Sequence, residues 1–366
     1  MKEITVGIPA FKAEKHIQDC IASISIQSII ENVSIIIASD FPSDDYSFIK
    51  QFYPHLDITI LPCSKNTGPG LARQRSLENC KTDWITFIDA DDVFYTPFAL
   101  ESLFKVTKEN KDIIEVQGAF LQEVENNPQI RLAPRNDVTH PWVFGRLYNT
   151  KFLKNNGIGF SELRAMEDGE MNWKLRMLVE DSPHIIAVIE EPIYVWRTGS
   201  EHSITRIGKD NEDGIPQYNF DLCQWGATVA AINAIRFCKK KNPFNGNIVK
   251  FTVEQMINQY FTYIECLERK PVFSEQCFFN AKRFYNECYK KIEEDIDDKI
   301  LKEMYTIQRM YAGENLINVI PNITFKEFIE KIKNEAYGGE KEFKEIRSRL
   351  PKEIIENDIK SGVALY

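Results

Sequence analysis

The sequence predicts an α/β fold with a mostly parallel central sheet over residues 1–208, followed by an α-helical region over residues 209–366. Strand-like and helix-like patterns alternate over about the first 125 residues, which is typical of βαβ units. Beyond about residue 210 the strand-like runs end, and amphipathic helical patterns follow one another. One strand-like run is followed by three aspartates near residue 90, so negatively charged side chains lie at the end of a predicted strand.

The predicted elements of the first region alternate from residue 4 to residue 88. The strands are indicated by short apolar or β-branched runs. They are Ile4–Ile8, Val33–Ala38, Asp57–Leu61 and Trp84–Ile88. Apolar residues at helical spacing predict a helix over residues 17–24, and a second helix, Leu71–Cys80, follows two glycines.

Strand-like and helix-like runs of apolar residues both occur from residue 113 to residue 196, and only helix-like runs follow. Strands are predicted at Ile113–Gln122, Ile185–Ile189 and Ile193–Trp196, and a helix at Met171–Val179. Amphipathic helices are predicted over residues 218–240, 248–268, 274–290 and 297–311. Aromatic residues recur in these helices at helical spacing, so most of them are expected in a core. They are Tyr218, Phe220, Trp225, Phe237, Phe251, Tyr260, Phe261 and Tyr263.

The composition is that of a soluble globular protein. The 366 residues, 43% hydrophobic and 27% charged, suffice for two domains or one large one. The chain begins directly with a predicted strand, without a secretory signal, and no window approaches the ~18 apolar residues that span a bilayer. We therefore expect a cytoplasmic protein without stable membrane insertion, although peripheral association at a membrane stays compatible with the sequence.

Cysteine spacing and net charge narrow the possible functions. The eight cysteines form no CxxC pair and no finger-like spacing, so we expect reduced, mostly buried thiols and no zinc site. The net charge of -9 argues against a general nucleic-acid binder, because such proteins usually carry a basic face. A local basic groove within an acidic whole is not excluded by this number.

The acidic cluster Asp89-Ala90-Asp91-Asp92 directly follows a predicted strand. Ligands of open α/β sheets bind beyond the carboxyl ends of the strands. Carboxylates there can hold a hard divalent cation, which waters and substrate phosphates usually complete. The cluster therefore suggests a phosphate compound held through a metal. A solvated acidic loop, or the acidic start of a helix, is the structural alternative.

Two further segments of the first half fit a phosphate ligand. Asp40 follows the strand Val33–Ala38, where an acidic residue can hydrogen-bond a base or ribose. Asn66–Arg73 is a glycine-bearing loop that opens a helix and carries an arginine, a combination that favours an anion such as a diphosphate. The structural alternatives are an N-cap after Asp40 and a turn capped by Asn66.

Two later segments carry candidate catalytic groups. Glu167, Asp168 and Glu170 precede a predicted helix, and one of them is a candidate general base if it lies in the cleft. Acidic residues are also favoured at helix N-termini for electrostatic reasons alone. The polar loop Trp196–Thr205 contains His202, a candidate ligand of a metal or a phosphate. A single loop histidine is more often simply exposed.

In this order the segments resemble the nucleotide-sugar glycosyltransferases of the GT-A fold, family 2 in particular. The resemblance covers residues 2 to about 206. The matching segments are Val6–Phe11, Ser23–Gln27, Ile37–Asp40 with Asp44, Asn66–Arg73, Phe87–Asp92, Gly145–Tyr148, Phe160–Glu162, Glu167-Asp168, and Trp196-Arg197 with Ser203–Thr205. It implies a Rossmann-like GT-A catalytic domain over residues 1–208, divided into a nucleotide-binding half (1–92) and an acceptor half (93–208).

The resemblance also implies a role for each matching residue. Asp40 is expected to contact the uracil or other base, Arg73 the base or diphosphate, and Asp89 the ribose. Asp91 of the DxD motif is expected to bind Mn²⁺ or Mg²⁺, and Asp168 to act as the catalytic base of an inverting transfer. The remaining expected substrate contacts are Pro9, Phe11, Asn66, Gly68, Ala90, Glu167 and Arg197, with His202 as a second metal ligand.

One segment departs from the family pattern. Where the family has Asp-Gly-Ser-x-Asp, this chain has Asp40-Phe41-Pro42-Ser43-Asp44. Loss of the glycine changes the geometry of the turn and leaves open which base the pocket accepts.

The sequence therefore predicts a metal-dependent inverting hexosyltransferase (EC 2.4) that uses a nucleotide-sugar, UDP-sugar first, and a glycan or cell-surface polymer as acceptor. A modified DNA or a protein is the alternative acceptor. A nucleotidyltransferase is the alternative enzyme, but Pro9–Ala13 lacks the glycines of its activation loop. A non-catalytic binding module would not need Asp40, Asp89, Asp91 and Asp168 together. The helices after residue 209 are expected to pack on the catalytic domain or to mediate homo-oligomer formation.

Overall fold

The computed structural model describes residues 2–123, 132–135, 141–180, 182–197, 220–242, 246–311 and 323–352. The chain divides into two compact units, Met1–Ser203 and Ile204–Tyr366. Unit 1 contains a sheet with helices, and unit 2 is helical in its described residues. Within the part of the chain that is described, no helix is long and apolar enough to cross a membrane.

Nine strands form one sheet in the described residues of unit 1, in the order β3-β2-β1-β4-β8-β6-β9-β5, with β7 paired to β6. The strands are β1 Ile4–Ala10, β2 Val33–Ser39, β3 Ile58–Leu61, β4 Trp84–Phe87, β5 Val93–Phe94, β6 Ile113–Glu123, β7 Leu132–Arg135, β8 Arg146–Asn149 and β9 Ile185–Trp196. The helices of unit 1 are α1 Ile17–Ser25, α2 Ser47–Phe52, α3 Pro69–Asn79, α4 Ala99–Thr107, α5 Thr150–Asn156 and α6 Glu167–Val179.

The first half of the sheet is parallel, as the βαβ pattern predicts. Strands β3, β2, β1 and β4 pair in parallel, with Ala10 opposite Ser39 and Gly7 opposite Phe87. The second half is mixed, because β8 pairs antiparallel with both β4 and β6. A hydrophobic period cannot reveal this reversal, since a buried strand has the same pattern in either direction.

The core of unit 1 is built from the strands and the apolar faces of the helices. Ile4, Val6 and Ile8 of β1 are fully buried, as are the helical-spacing residues of α1. The two strands predicted at 185–189 and 193–196 are one strand, β9, which pairs in parallel with β6. Gly118 permits this pairing, because a Cβ there would lie 2.2 Å from Ile193 Cγ1.

Unit 2 contains six α-helices in its described residues. They are α7 Phe220–Lys241, α8 Gly246–Arg269, α9 Ser274–Glu287, α10 Asp298–Tyr311, α11 Phe325–Asn334 and α12 Gly339–Ser348. Tyr260 and its aromatic neighbours on α8 are buried, which confirms their predicted place in a core. Trp225 and Phe237 are half-buried; Tyr218 and the side chain of Phe220 lie outside the described residues.

Candidate active site

The candidate site of unit 1 lies where β1, β2 and β4 end together. Because these strands are parallel neighbours, their carboxyl ends meet at one edge of the sheet. Asp40 follows β2 directly, and Asp89 lies two residues beyond β4. The N-termini of α3 and α6 approach the same edge, since Gly70 of α3 lies against Ser161 and Glu167.

The acidic turn Asp89–Asp92 begins two residues after the end of β4. The amide of Ile88 still donates to the carbonyl of Gly7, and the amide of Asp92 donates to the carbonyl of Asp89 at 3.0 Å, which closes the turn. Asp89 and Asp91 are partly exposed, whereas Asp92 is buried. Burial, together with the charges of Asp91 and Asp89, raises the pKa of Asp92 well above its usual range.

Arg73 connects the acidic turn to α6. Its Nη2 lies 2.6 Å from Asp89 Oδ1 and its Nη1 lies 2.5 Å from Glu167 Oε1. The arginine is 6% exposed, and the Glu167 side chain is equally buried. A buried guanidinium shared by two carboxylates has strong, charge-assisted hydrogen bonds that fix both partners. In this structure each terminal nitrogen of Arg73 therefore binds a carboxylate of the protein itself.

Asp168 is the second residue of α6 and follows a strained residue, Met166, by two positions. Met166 precedes the helix in the left-handed region at φ 66°, which is uncommon for a residue with a side chain. Asp168 Oδ1 accepts from the Gly169 amide at 2.8 Å, and the residue remains partly exposed. Strained backbone of this kind concentrates at functional sites, where the surrounding structure fixes it.

The carboxylates of α6 differ in how they are engaged. Burial raises the pKa of Asp168 to about 7; the negative charge of Glu167 adds to this rise, and Arg73 opposes it. Burial also raises the pKa of Glu167, although Arg73 counteracts the shift. Glu170 accepts from the Ser161 hydroxyl at 2.9 Å and pairs with Lys174. Of the three, only Asp168 is partly exposed, and its pKa near neutrality suits a general base.

Asp40 holds the glycine-bearing loop in place. Its Oδ1 accepts from the Thr67 amide and hydroxyl, both at 2.8 Å, and its Oδ2 accepts from the Gly68 amide at 2.7 Å. Gly68 has φ 90°, a left-handed conformation that favours glycine. Asp40 is 3% exposed. The structure thus assigns this carboxylate a loop-anchoring contact, and its expected contact with a base stays a prediction.

Asn66 and Gly70 fix the other side of this loop. Asn66 Oδ1 accepts from Arg164, a residue of the segment that leads into α6. A Cβ on Gly70 would lie 2.6 Å from the Ser161 carbonyl oxygen and 2.7 Å from Glu167 Cγ. Because real Cβ atoms do not approach backbone this closely, a glycine is required for α3 to contact α6.

Two phenylalanines lie beside the loop that departs from the family pattern. Phe11, just after β1, packs edge to face on Phe41 with ring centroids 5.5 Å apart. The ammonium of Lys12 lies 4.8 Å from the Phe41 centroid, within cation–π range. The Lys12 amide also donates to Asp44 Oδ2 at 2.7 Å. Pro9 is partly exposed at the end of the same strand.

Residues 5–166 match the family model described as Glycosyl transferase family 2. These residues belong to glycosyltransferase family 2, and their domain has the GT-A fold.

Curated relatives of the glycosyltransferase domain include glycosyltransferase GlyA of Streptococcus pneumoniae, 25% identical over 218 residues that make up 53% of this chain and 30% of the relative. Another is poly(ribitol-phosphate) beta-N-acetylglucosaminyltransferase TarS of Staphylococcus aureus, 21% identical over 55% of this chain and 36% of the relative. The chain thus spans about a third of the length of these relatives.

A solved structure supports the GT-A fold. The crystal structure of S. aureus TarS 1–349 in complex with UDP-GlcNAc superposes with a TM-score of 0.61 at 15% identity, covering 85% of this chain and 92% of that one. At this identity the likeness concerns the fold. It extends through a helical C-terminal region, which agrees with the predicted order of an α/β domain followed by helices.

The acidic turn of the glycosyltransferase domain is suited to a hard cation whose coordination shell would be completed by the phosphates of a bound substrate. In the described ranges, no three histidine, cysteine, aspartate or glutamate side chains form a group that could hold a metal ion. Asp91 and Asp89 are partly exposed carboxylates. Mg²⁺ is commonly held by one or two carboxylates together with substrate phosphates. His202, the second expected ligand, lies outside the described residues.

Three residues of the glycosyltransferase domain were not assigned roles from the sequence. Asp92 Oδ2 accepts from the Tyr194 hydroxyl at 2.5 Å, and Asp92 Oδ1 accepts from the Arg197 amide at 2.7 Å. Arg164 holds Asn66. Asp92 could have been noticed as the third carboxylate of the acidic run, whereas no sequence pattern indicates a role for Tyr194 or Arg164. The Arg197 guanidinium pairs with Asp19 at 3.0 Å, and Ala90 is buried in the turn.

Proposed function

We propose that the chain is an inverting glycosyltransferase that moves a sugar from a nucleoside diphosphate sugar to an acceptor hydroxyl. The observation that carries this proposal is the placement of Asp168. Asp168 follows Glu167 in the sequence, and Arg73 pairs with both Glu167 and Asp89 of the acidic turn. A candidate base and a candidate donor-binding turn are thus linked through one buried arginine.

Asp168 is the group that would take the proton of the acceptor hydroxyl. With a pKa near 7, about half of the carboxyl groups are ionised at neutral pH. A base of this strength is matched to the operating pH. Attack by the deprotonating hydroxyl on the anomeric carbon, from the face opposite the diphosphate, inverts that carbon in one displacement. No nucleophile from the enzyme is needed.

The acidic turn is the place where the leaving diphosphate would bind. Asp91 would hold Mn²⁺ or Mg²⁺, with Asp89 directed to the ribose and kept in position by Arg73. The cation, when bound, supplies Lewis-acid stabilisation of the negative charge that develops on the diphosphate. Asp40 accepts from the Thr67 and Gly68 amides and so fixes the loop that leads into α3, the helix that carries Arg73.

UDP-sugar as donor and a polymer as acceptor are supported by the relatives. The TarS structure contains UDP-GlcNAc, and the full TarS protein is described as acting on poly(ribitol-phosphate). A cell-surface polymer that presents many equivalent hydroxyl groups is therefore the proposed acceptor class.

The proposal is tested by incubating the protein with a panel of nucleoside diphosphate sugars and Mn²⁺, with and without polyol-phosphate or glycan polymers. We expect acceptor-stimulated release of UDP and a product whose anomeric configuration, measured by NMR, is opposite to that of the donor. Release of pyrophosphate from a nucleoside triphosphate and a sugar phosphate would instead establish a nucleotidyltransferase. Retention of configuration would refute the role of Asp168 as the base of a single displacement.

A further inference from the structure

Tyr194 joins the acidic turn to the end of β9. Its hydroxyl donates to Asp92 Oδ2 at 2.5 Å and accepts from the Asp89 amide at 3.2 Å. The other oxygen of Asp92 accepts from the Arg197 amide at 2.7 Å. Both Tyr194 and Asp92 are at most 2% exposed. Three hydrogen bonds therefore connect the two ends of the turn to Tyr194 of β9 and to Arg197, the residue that follows the strand.

The packing around Tyr194 makes this connection stiff. Its ring stacks on Phe144 with centroids 4.6 Å apart, and Phe94 pairs with it across β5 and β9. The Tyr95 amide donates to the carbonyl of Ile193 at 2.9 Å, next to the same pairing. A buried carboxylate is costly unless its oxygens are hydrogen-bonded, and here both oxygens of Asp92 have donors. The arrangement is therefore specific to one geometry of the turn.

We propose that Asp92 and Tyr194 are positioning residues, which hold Asp89 and Asp91 in the geometry that binds the diphosphate end of the donor. Neither side chain is placed to touch substrate, because both are buried beneath the turn. Tyr194 restrains the turn through its hydrogen bond with the Asp89 amide, and Asp92 is itself held by the Arg197 amide. This inference rests on the proposed function, since it takes the ligand of the turn to be a nucleoside diphosphate with a divalent cation.

The substitution Tyr194→Phe tests the inference, because it keeps the ring and its stacking and removes only the hydroxyl. Tyr148→Phe is the matched control. Tyr148 is equally buried, lies in the same sheet, and its hydroxyl donates to Asn172 Oδ1 at 2.9 Å, without a contact to the turn. Asp92→Asn is the second variant, since its carbonyl oxygen can still accept from the Arg197 amide while the acceptor for Tyr194 is lost.

The first measurement is the affinity for UDP at fixed Mn²⁺ concentration, by calorimetry on the full chain. We expect Tyr194→Phe and Asp92→Asn to weaken UDP binding at least about tenfold, because each removes a buried hydrogen bond that fixes the turn. Tyr148→Phe should bind like the wild type. Equal binding by wild type and Tyr194→Phe overturns the inference, and so does equal weakening by Tyr194→Phe and Tyr148→Phe.

The second measurement needs no ligand. Hydrogen exchange of the Asp89 amide, followed by NMR, should be faster in Tyr194→Phe than in the wild type and unchanged in Tyr148→Phe. Unchanged exchange at Asp89 in Tyr194→Phe refutes the positioning role. A wild-type protein that binds no UDP refutes the proposed donor class, and the exchange measurement then still decides whether Tyr194 fixes the turn.

Discussion

Asp168→Asn separates the chemical step from donor binding and from folding. The substitution keeps an oxygen that can accept from the Gly169 amide, at 2.8 Å in the wild type, and removes the ability to take a proton. General acid–base catalysis contributes roughly 10²–10⁴-fold to rate. We therefore expect kcat to fall by a factor in that range, while the affinity for UDP with Mn²⁺ stays near the wild-type value.

The pH dependence of the wild type follows from the raised pKa of Asp168. With a pKa of about 7, the ionised fraction is about one-tenth at pH 6, half at pH 7 and nine-tenths at pH 8. The base acts only when ionised, so kcat/KM should rise about fivefold from pH 6 to pH 7 and less than twofold from pH 7 to pH 8. The residual activity of Asp168→Asn should lack this rise.

The same shift predicts an effect on stability. The pKa of Asp168 lies at about 7, above its ordinary value of 3.8, because burial and Glu167 disfavour the charged form. Its contribution to stability is therefore fully present below about pH 4 and is lost as the pH rises through 7. Asp168→Asn removes this loss, so its Tm should exceed that of the wild type at pH 8 and match it at pH 4.

These results are measured by UDP-release kinetics from pH 5.5 to 8.5 and by thermal unfolding of both proteins at the two pH values. Glu180→Gln is the control, because Glu180 is an exposed carboxylate at the other end of α6. A flat wild-type profile between pH 6 and pH 8, or a turnover of Asp168→Asn within tenfold of the wild type, would show that another group takes the proton.

The other predictions concern donor binding and the contact between α3 and α6. Asp91→Asn should abolish the thermal stabilisation by UDP with Mn²⁺ and keep the unliganded Tm, whereas an unchanged shift would remove the metal role of Asp91. Arg73→Met leaves two carboxylates without their shared cation and should cost about 3–5 kcal/mol in the free energy of unfolding by urea; Glu167→Gln in the same chain should recover part of this, and additive effects would contradict the pairing. Gly70→Ala should cost about 1–3 kcal/mol and weaken UDP binding, because its Cβ would overlap Ser161 and Glu167.

The sequence was sufficient to predict which strand ends lie together at the candidate site. Asp40 and Asp89 both follow strands of strong β pattern, and parallel neighbours must end at the same edge of a sheet. The motif Glu167-Asp168 was predicted from its order in the family, and the structure places Glu167 against Arg73. The catalytic roles of these residues remain predictions, since the structure shows their geometry alone.

Other features of the site could not be predicted from one sequence. Tyr194 and Asp92 are more than a hundred positions apart and meet only because β9 pairs with β5, a two-residue strand. The parallel pairing of β9 with β6, on the side of β6 opposite to the antiparallel β8, likewise cannot be read from the periodicity of apolar residues. The contact of Arg164 with Asn66 depends on the path of an irregular segment before α6, for which no short pattern exists.

Helix α3 explains why these separated motifs act together. Its N-terminal loop is held by Asp40, its Gly70 lies against Glu167, and its Arg73 bonds both Asp89 and Glu167. The segment expected to contact the base, the acidic turn and the segment that carries Asp168 are therefore all attached to the first turns of one short helix. A substitution that displaces the N-terminus of α3 is therefore expected to change the donor contacts and the environment of Asp168 together. The glycines and the arginine of this loop are consequently structural requirements of the site as well as candidate ligands of the diphosphate.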